Sequence, residues 1–232
     1  MTKLEIIPLE GIPEIRPGDD LVEIVGQIDT IQSGDILVVT QKIISKAENQ
    51  MIEIDPNDPL SHKPLVERES VRILRRRGDL IISQTKHGFV CANAGIDLSN
   101  VERGQAALLP DDSDRSARRL RDGLAGRFKL DVGIIISDTF GRPWRRGLTD
   151  VAIGSAGVLP ILDLRGSPDA FGREMQVTEV ALVDELASAA ELVMGKSSGI
   201  PIAIVRGADE SWFGSGSVRD QIVRDPQDDL FR

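Results

Sequence analysis

The chain has 232 residues, 41% hydrophobic and 28% charged, with a formal net charge of −9, the balance of a soluble globule that can bury one large core or two small ones. The acidity argues against a general nucleic-acid binder, the 3% aromatic content without tyrosine leaves little to stack bases on, and the single cysteine, Cys91, excludes an internal disulfide. No signal peptide precedes the first apolar run and no stretch approaches the ~18 apolar residues of a membrane span, so a cytoplasmic protein is expected.

Residues 3–7 (KLEII) read as a short strand, ended by Pro8 and the turn-rich stretch LEGIPEIRPGDD. Asp19 or Asp20 is placed to cap a helix through about Ile28, because Leu21, Ile24, Val25 and Ile28 fall on one face. Gly34-Asp35 turns the chain into a strand over 36–39, and the following QKIISKAEN carries Lys42 and Lys46 on a loop or strand continuation. A Pro/Asp-rich surface loop follows at 55–64, then a helix predicted over 65–77, ending RILRRR at Gly78. Strands are expected at 80–82, 132–136 and 202–205, with helices near 114–128 and at about 178–194. This order lacks a regular βα alternation and predicts an α+β fold, with mixed or antiparallel sheets and packed helices. A single domain over 1–232, in one or two lobes, would end in a short polar tail at about 222–232.

The most informative passage is DVGIIISDTFGRPWRRGLTD, residues 131–150. A short, continuous, β-branched run reads as a buried strand, and Asp138 and Thr139 leave it where a rigid scaffold presents chemistry to solvent. A carboxylate and a neighbouring hydroxyl are ligands that Mg²⁺ or Mn²⁺ prefers. Arg142, Arg145 and Arg146 add positive charge suited to phosphate or carboxylate. The bland alternative is an Asx-turn followed by a solvated basic loop.

Standard nucleotide and hydrolase motifs are missing. Gly195-Lys196-Ser197 resembles the end of a P-loop, but Ala190 stands where that pattern needs glycine and a helix comes first. No G-x-G-x-x-G follows a strand, no H-E-x-x-H exists, and two histidines with one cysteine cannot build a zinc site. Asp97, in HGFVCANAGIDLSNV, reads first as a turn former, and His87 and Cys91 as a loop histidine and a core thiol. Asp111, Asp112 and Asp114 immediately precede a helix and read as capping residues before calcium ligands. Lys42 and Lys46 are surface lysines by default, although a segment carrying both could hold a nucleotide tail.

Together, LEGIPEIRPGDDL (9–21), VVTQKIISKAEN (38–49), HGFVCANAGIDLSNV (87–101), LLPDDSDRSA (108–117), ISDTFGRPWRRGLTDVAIG (136–154) and TEVALVDELASAAELVMGK (178–196) resemble the coenzyme F420 γ-glutamyl ligase family. The resemblance implies GTP-dependent ligation of L-glutamate to a deazaflavin precursor, through an acyl phosphate. It also implies Mg²⁺ or Mn²⁺ (two per site), K⁺, an intimate homodimer and a fold of its own without a P-loop. This chain stops before the nitroreductase-like domain that some relatives append, so the stand-alone form is expected. Carried over by motif, Asp97 and Asp138 would hold the first metal and Thr139 the second. Ile12, Pro13, Glu14, Ile15, Gln41, Lys42, Lys46 and Asn100 match positions lining the GTP site. So does the loop Met194, Gly195, Lys196, Ser197, Ser198, Gly199, Ile200 and Pro201. Relatives tend to carry Glu or Gln where Lys196 stands, and a charged lysine has no lone pair for a metal. Either the second metal is held differently, or Lys196 takes over part of its neutralising role. Rival readings are another nucleotide-dependent amide ligase, acting on a different phosphorylated acid, and a non-catalytic GTP-binding regulator.

Overall fold

The computed structural model describes residues 3–230. In chain order its elements are β1 (Glu5–Pro8), α1 (Leu21–Gly26), β2 (Ile36–Thr40), α2 (Gln41–Ala47), β3 (Met51–Glu53), α3 (Lys63–Glu69), β4 (Ser70–Arg77), β5 (Leu80–Thr85), β6 (Val90–Ala92), β7 (Gln105–Ala107), α4 (Ser113–Phe128), β8 (Gly133–Gly141), β9 (Leu148–Ala156), β10 (Leu162–Asp163), β11 (Glu179–Val180), α5 (Leu182–Met194), β12 (Ile202–Arg206) and α6 (Val218–Gln221). The main sheet runs β1-β12-β2-β8-β9, with smaller sheets β4-β5-β6, β3-β7 and β10-β11. Only β2 and β8 pair in parallel; the other neighbours in the main sheet are antiparallel. The expected mixed and antiparallel α+β architecture is what forms.

The continuous apolar runs are central strands because both faces of the sheet are covered. Residues 36–39, 134–136 and 202–205 are fully buried. One face packs under α1, α2 and α4 through Leu37, Val39, Ile134, Ile136, Leu120 and Leu124. The other packs under α5 through Ile36, Val38, Ile135, Leu186 and Ala190. A third, smaller cluster around Val66, Ile81, Ala106 and Leu108 holds together the segment between α3 and β7.

Three expectations need correction. Residues 65–77 are not one helix: α3 ends at Glu69 and the chain runs on as β4. Arg77 pairs with Leu80 across a two-residue turn in which Gly78 has φ +56°, so this glycine closes a hairpin and caps no helix. Gln41 to Ala47 is a helix, which puts Lys42 and Lys46 one turn apart on one face. The expected tail begins packed, with Ile222 against the α5-side core and Val223 beside Gly88, and only then runs exposed from Arg224 to Asp228. Its final two residues lie outside the described ones.

Candidate active site

The parallel register sets the site. Thr40 lies opposite Ser137, so α2 leaves the carboxyl end of β2 just where β8 continues into Asp138 and Thr139. Crevices at the carboxyl ends of neighbouring parallel strands are recurrent binding sites in sheets of this kind. Ile136 pairs with Gly154 but Ser137 with Ala152, leaving Ile153 as an extra residue on β9. That bulge sits directly before Asp138 and re-aims the side chains beyond it. The carboxylate and hydroxyl are therefore part of a paired strand, one step inside the loop expected for them.

Two polar clusters result, since successive strand residues face opposite sides. On the first side, Lys42 Nζ lies 2.9 Å from Asp97 Oδ2 and donates to Ser99 Oγ at 3.0 Å. Asp97 Oδ1 accepts from the Ser99 amide at 2.7 Å, so the turn reading of Asp97 holds while its other oxygen faces Lys42. Burial acts against the Asp97 charge, but Lys42 and the Ser99 donors outweigh it and its carboxyl titrates lower than usual. Asp138 goes the other way, to about 7, pushed by burial and by the nearby Asp97 and Asp150 charges against the Thr139 amide. Asp97, Asp138 and Lys42 thus share one electrostatic neighbourhood. On the second side, Thr139 Oγ1 donates to Asp150 Oδ1 at 2.6 Å, and Ser137 Oγ to Asp150 Oδ2 at 3.2 Å. Lys196 Nζ donates to Thr139 Oγ1 at 2.6 Å and pairs with Asp150 Oδ1 at 2.9 Å and Glu191 Oε1 at 2.7 Å. Burial disfavours the Lys196 charge, but Glu191 and Asp150 more than restore it.

The remaining positions fall around these clusters unequally. Lys46 Nζ pairs with Glu14, which brings the 12–15 strip against α2. Asn100 Nδ2 donates to the Lys196 carbonyl at 3.2 Å, tying the Asp97 turn to the loop after α5. The Thr40 amide donates to the Pro201 carbonyl at 2.9 Å, anchoring that loop's far end. Ile15 and Met194 are buried core residues. Gln41 is buried too, and its amide nitrogen bonds Ser45 Oγ at 2.5 Å and the Leu108 carbonyl at 2.8 Å, so this side chain holds α2 in place. Arg142, Arg145 and Arg146 lie exposed at the tip of the β8–β9 hairpin. Arg142 lines a cleft of about 530 Å³ with Thr149, Asp184 and Ser188.

Asp150 and Glu191 complete the site without having been foreseen. Asp150 is 2% exposed, and the signal for it was an acid at the foot of the apolar strand VAIG, opposite Thr139 in the hairpin. Cys91 is buried, and burial followed by the Asp138 charge pushes its thiol up to about 12, so it is a core residue.

The donors around Asp97 and Asp138 suit a hard divalent ion, because burial and like charge leave Asp138 short of a cation. Among the described residues no three His, Cys, Asp or Glu gather to hold a metal. An ion there would complete its shell from water and substrate oxygens, as Mg²⁺ commonly does. A second ion at Thr139 fits poorly, since its hydroxyl already donates to Asp150 and accepts from Lys196. Among the described residues no helix is long and apolar enough to cross a membrane.

Residues 11–207 match the sequence profile of the F420-0:Gamma-glutamyl ligase family. A protein of Methanopyrus kandleri called coenzyme F420:L-glutamate ligase is 43% identical, over 99% of this chain and 97% of its own length. Proteins of the same name from Methanocaldococcus jannaschii and Methanothermobacter thermautotrophicus are 40% and 39% identical, over 99% of this chain and 97% and 99% of theirs. The blocks that build the two clusters, from the 12–15 strip to the loop after α5, lie within the matched span, and the chain belongs to the F420-0:gamma-glutamyl ligase family.

Proposed function

We propose that this chain ligates L-glutamate to the deazaflavin precursor coenzyme F420-0 at the expense of GTP. The observation that carries this reading is the shared electrostatic neighbourhood of Asp97, Asp138 and Lys42 beside the carboxyl ends of β2 and β8, in a family whose relatives are named coenzyme F420:L-glutamate ligase.

A free carboxylate does not acylate an amine at neutral pH, because oxide would have to leave. In the proposed first step an oxygen of the precursor's carboxylate bonds the γ-phosphorus of GTP, and the bond from that phosphorus to the β,γ-bridging oxygen breaks, releasing GDP. The α-amine of glutamate then bonds the acyl carbon, the carbon–oxygen bond to phosphate breaks, and the amine gives up a proton as the amide forms. Phosphoryl transfer of this kind is mostly positioning and charge neutralisation. Lys42 and Lys46, one turn apart on α2, present two ammonium groups to the phosphates, and the buried Gln41 bonds keep that helix in place. The 12–15 strip, Asn100 and the 194–201 loop wall the nucleotide. Asp97 and Asp138 would hold Mg²⁺ or Mn²⁺, with K⁺ as an accompanying monovalent ion; the bound divalent ion would neutralise charge across the β,γ-phosphates. Arg142, with Arg145 and Arg146, would bind a carboxylate or phosphate of the acid substrates.

Incubation with GTP, Mn²⁺, L-glutamate and F420-0, followed by mass spectrometry, should show a product heavier by one glutamyl residue, with GDP and phosphate in equal amounts. GTP turnover without that product, but with glutamylation of another phosphorylated acid, would move the chain to a different substrate. No turnover of any acid would leave a GTP-binding protein. Reversing the charge of each hairpin arginine in turn should raise KM for one acid substrate; unchanged kinetics in all three variants would remove their proposed role.

A further inference from the structure

We infer that the Lys196 ammonium supplies, from the chain itself, the positive charge that a second divalent ion would bring, so that each site binds a single divalent ion. The inference rests on the proposed role of Asp97 and Asp138 as metal ligands. Lys196 Nζ is surrounded by Thr139 Oγ1 at 2.6 Å, Glu191 Oε1 at 2.7 Å and Asp150 Oδ1 at 2.9 Å. An ammonium has three donors and all three are used. Two of the acceptors are carboxylates with little exposure, 3% for the Asp150 side chain and 18% for Glu191, and charges so placed require a cation beside them.

The backbone holds the ammonium in place. Gly195 ends α5 with φ 61° and ψ 175° and turns the chain toward β8. Asn100 grips the Lys196 carbonyl at 3.2 Å, and the Thr40 amide grips that of Pro201 at 2.9 Å. The loop is therefore fastened on both sides of the site, and Lys196 reaches back under it to Thr139. The charges close around this arrangement. Beside Thr139 the Lys196 ammonium faces the Asp150 and Glu191 carboxylates, so this cage already holds a cation for its acids. A second ion would have to displace the ammonium from Thr139 and Asp150, and would meet its charge at close range.

Replacing Lys196 by glutamine removes the charge and offers a carbonyl oxygen to a cage that already holds one hydroxyl and two carboxylates. Mn²⁺ is titrated into the full-length protein, with and without a non-hydrolysable GTP analogue, and free ion is followed by electron paramagnetic resonance. The expected result is one bound Mn²⁺ per chain in the wild type and two in Lys196→Gln, the second pair showing dipolar broadening from neighbouring ions. Adding Thr139→Val to Lys196→Gln should return the count to one. Two bound ions in the wild type, or one in Lys196→Gln, would overturn the role given to Lys196 and leave the first metal site standing. No bound ion in the wild type under either condition would instead sink the assignment of Asp97 and Asp138 on which this rests. Lys196 itself is more than half exposed, but its loss leaves Asp150 and Glu191 without their cation until an ion binds, so circular-dichroism melts of Lys196→Gln with and without Mn²⁺ establish that the variant is folded under the conditions of the titration.

Discussion

Asp138 is held half-buried at the end of a strand with the Asp97 and Asp150 charges nearby, and only the Thr139 amide and Lys42 work in its favour. Such a carboxylate is badly placed for stability and well placed to receive a cation. Asp138→Asn keeps the shape and removes the charge. In chelator-treated protein the variant should melt at the same temperature as the wild type or higher, since like-charge repulsion is relieved. Its glutamylation rate should fall by about a hundred- to a thousandfold, the scale expected when a group that neutralises transition-state charge is lost. A variant retaining near-normal turnover would contradict the metal assignment. Cys91 illustrates the opposite, a residue whose chemistry the fold suppresses. With its thiol pushed up to about 12, it should stay silent to a thiol reagent at pH 8 in the native protein and react fully in denaturant. The pH dependence has a fixed sign. The folded state keeps this proton while the unfolded chain loses it above about pH 8.5, so the unfolded state binds fewer protons. Stability should then fall by about 1.4 kcal/mol per pH unit between there and about pH 12. Urea midpoints across this alkaline range, compared with Cys91→Ala, test it; identical slopes would refute it.

At the level of elements, Asp114 shows how one side chain joins three segments. Its Oδ1 accepts from the Ser155 and Val218 amides, both at 2.9 Å, and its Oδ2 from the Arg219 amide at 3.1 Å. It thereby links the start of α4 to β9 and to α6. Asp114→Ala strands three donors and should cost about 3 kcal/mol or more, read as a lower urea midpoint with unchanged slope; a loss under about 1 kcal/mol would show the donors finding other partners. Reading DDSDRS as helix capping holds for Asp112, which accepts from the Arg115 amide at 2.8 Å, yet nothing local announces that Asp114 turns inward. The same division runs through the chain. The strands expected at 36–39, 132–136 and 202–205 were legible because full burial writes a nearly uninterrupted apolar run. β4 was not, because the Arg-rich SVRILRRR is an almost wholly exposed strand, with no apolar face to mark its period. α2 escaped for a related reason: its seven residues are too few for a helical repeat to stand out. Asp97, Asp138 and Lys42 were nameable by resemblance. Their meeting depends on the parallel β2–β8 register, and the contact of Lys196 with Thr139 on a hairpin bulge and a glycine turn, neither of which a linear pattern expresses.

On the scale of the whole molecule, three large apolar side chains of the described structure stay exposed on the β8–β9 hairpin and on α5. Trp144, Leu148 and Leu192 are 82%, 69% and 85% exposed. They belong to the β8–β9 hairpin and to α5, where Leu192 and Arg142 line the same cleft. β9 ends the main sheet, so no further strand of that sheet covers this side. Isolated exposed apolar residues are ordinary, but large ones collected on neighbouring elements mark contact surfaces. A second copy of the chain is the expected occupant, through a twofold interface in which the same patch serves both partners. Light scattering behind size-exclusion chromatography should give twice the chain mass of 25.3 kDa. Leu148→Glu with Leu192→Glu would then bury four acids across the shared axis and should lower the measured mass to that of one chain, with the far-ultraviolet spectrum preserved. If the double variant keeps the dimer mass, the interface lies elsewhere; a wild type that runs as a single chain at every concentration removes the dimer. Arg142 gives the result a bearing on catalysis, because it lines the same cleft as Leu192. Should the single-chain variant keep GTP affinity but lose affinity for the acid substrates, the arginine end of the site is completed by the partner. Equal loss of both would instead place the effect on the fold as a whole.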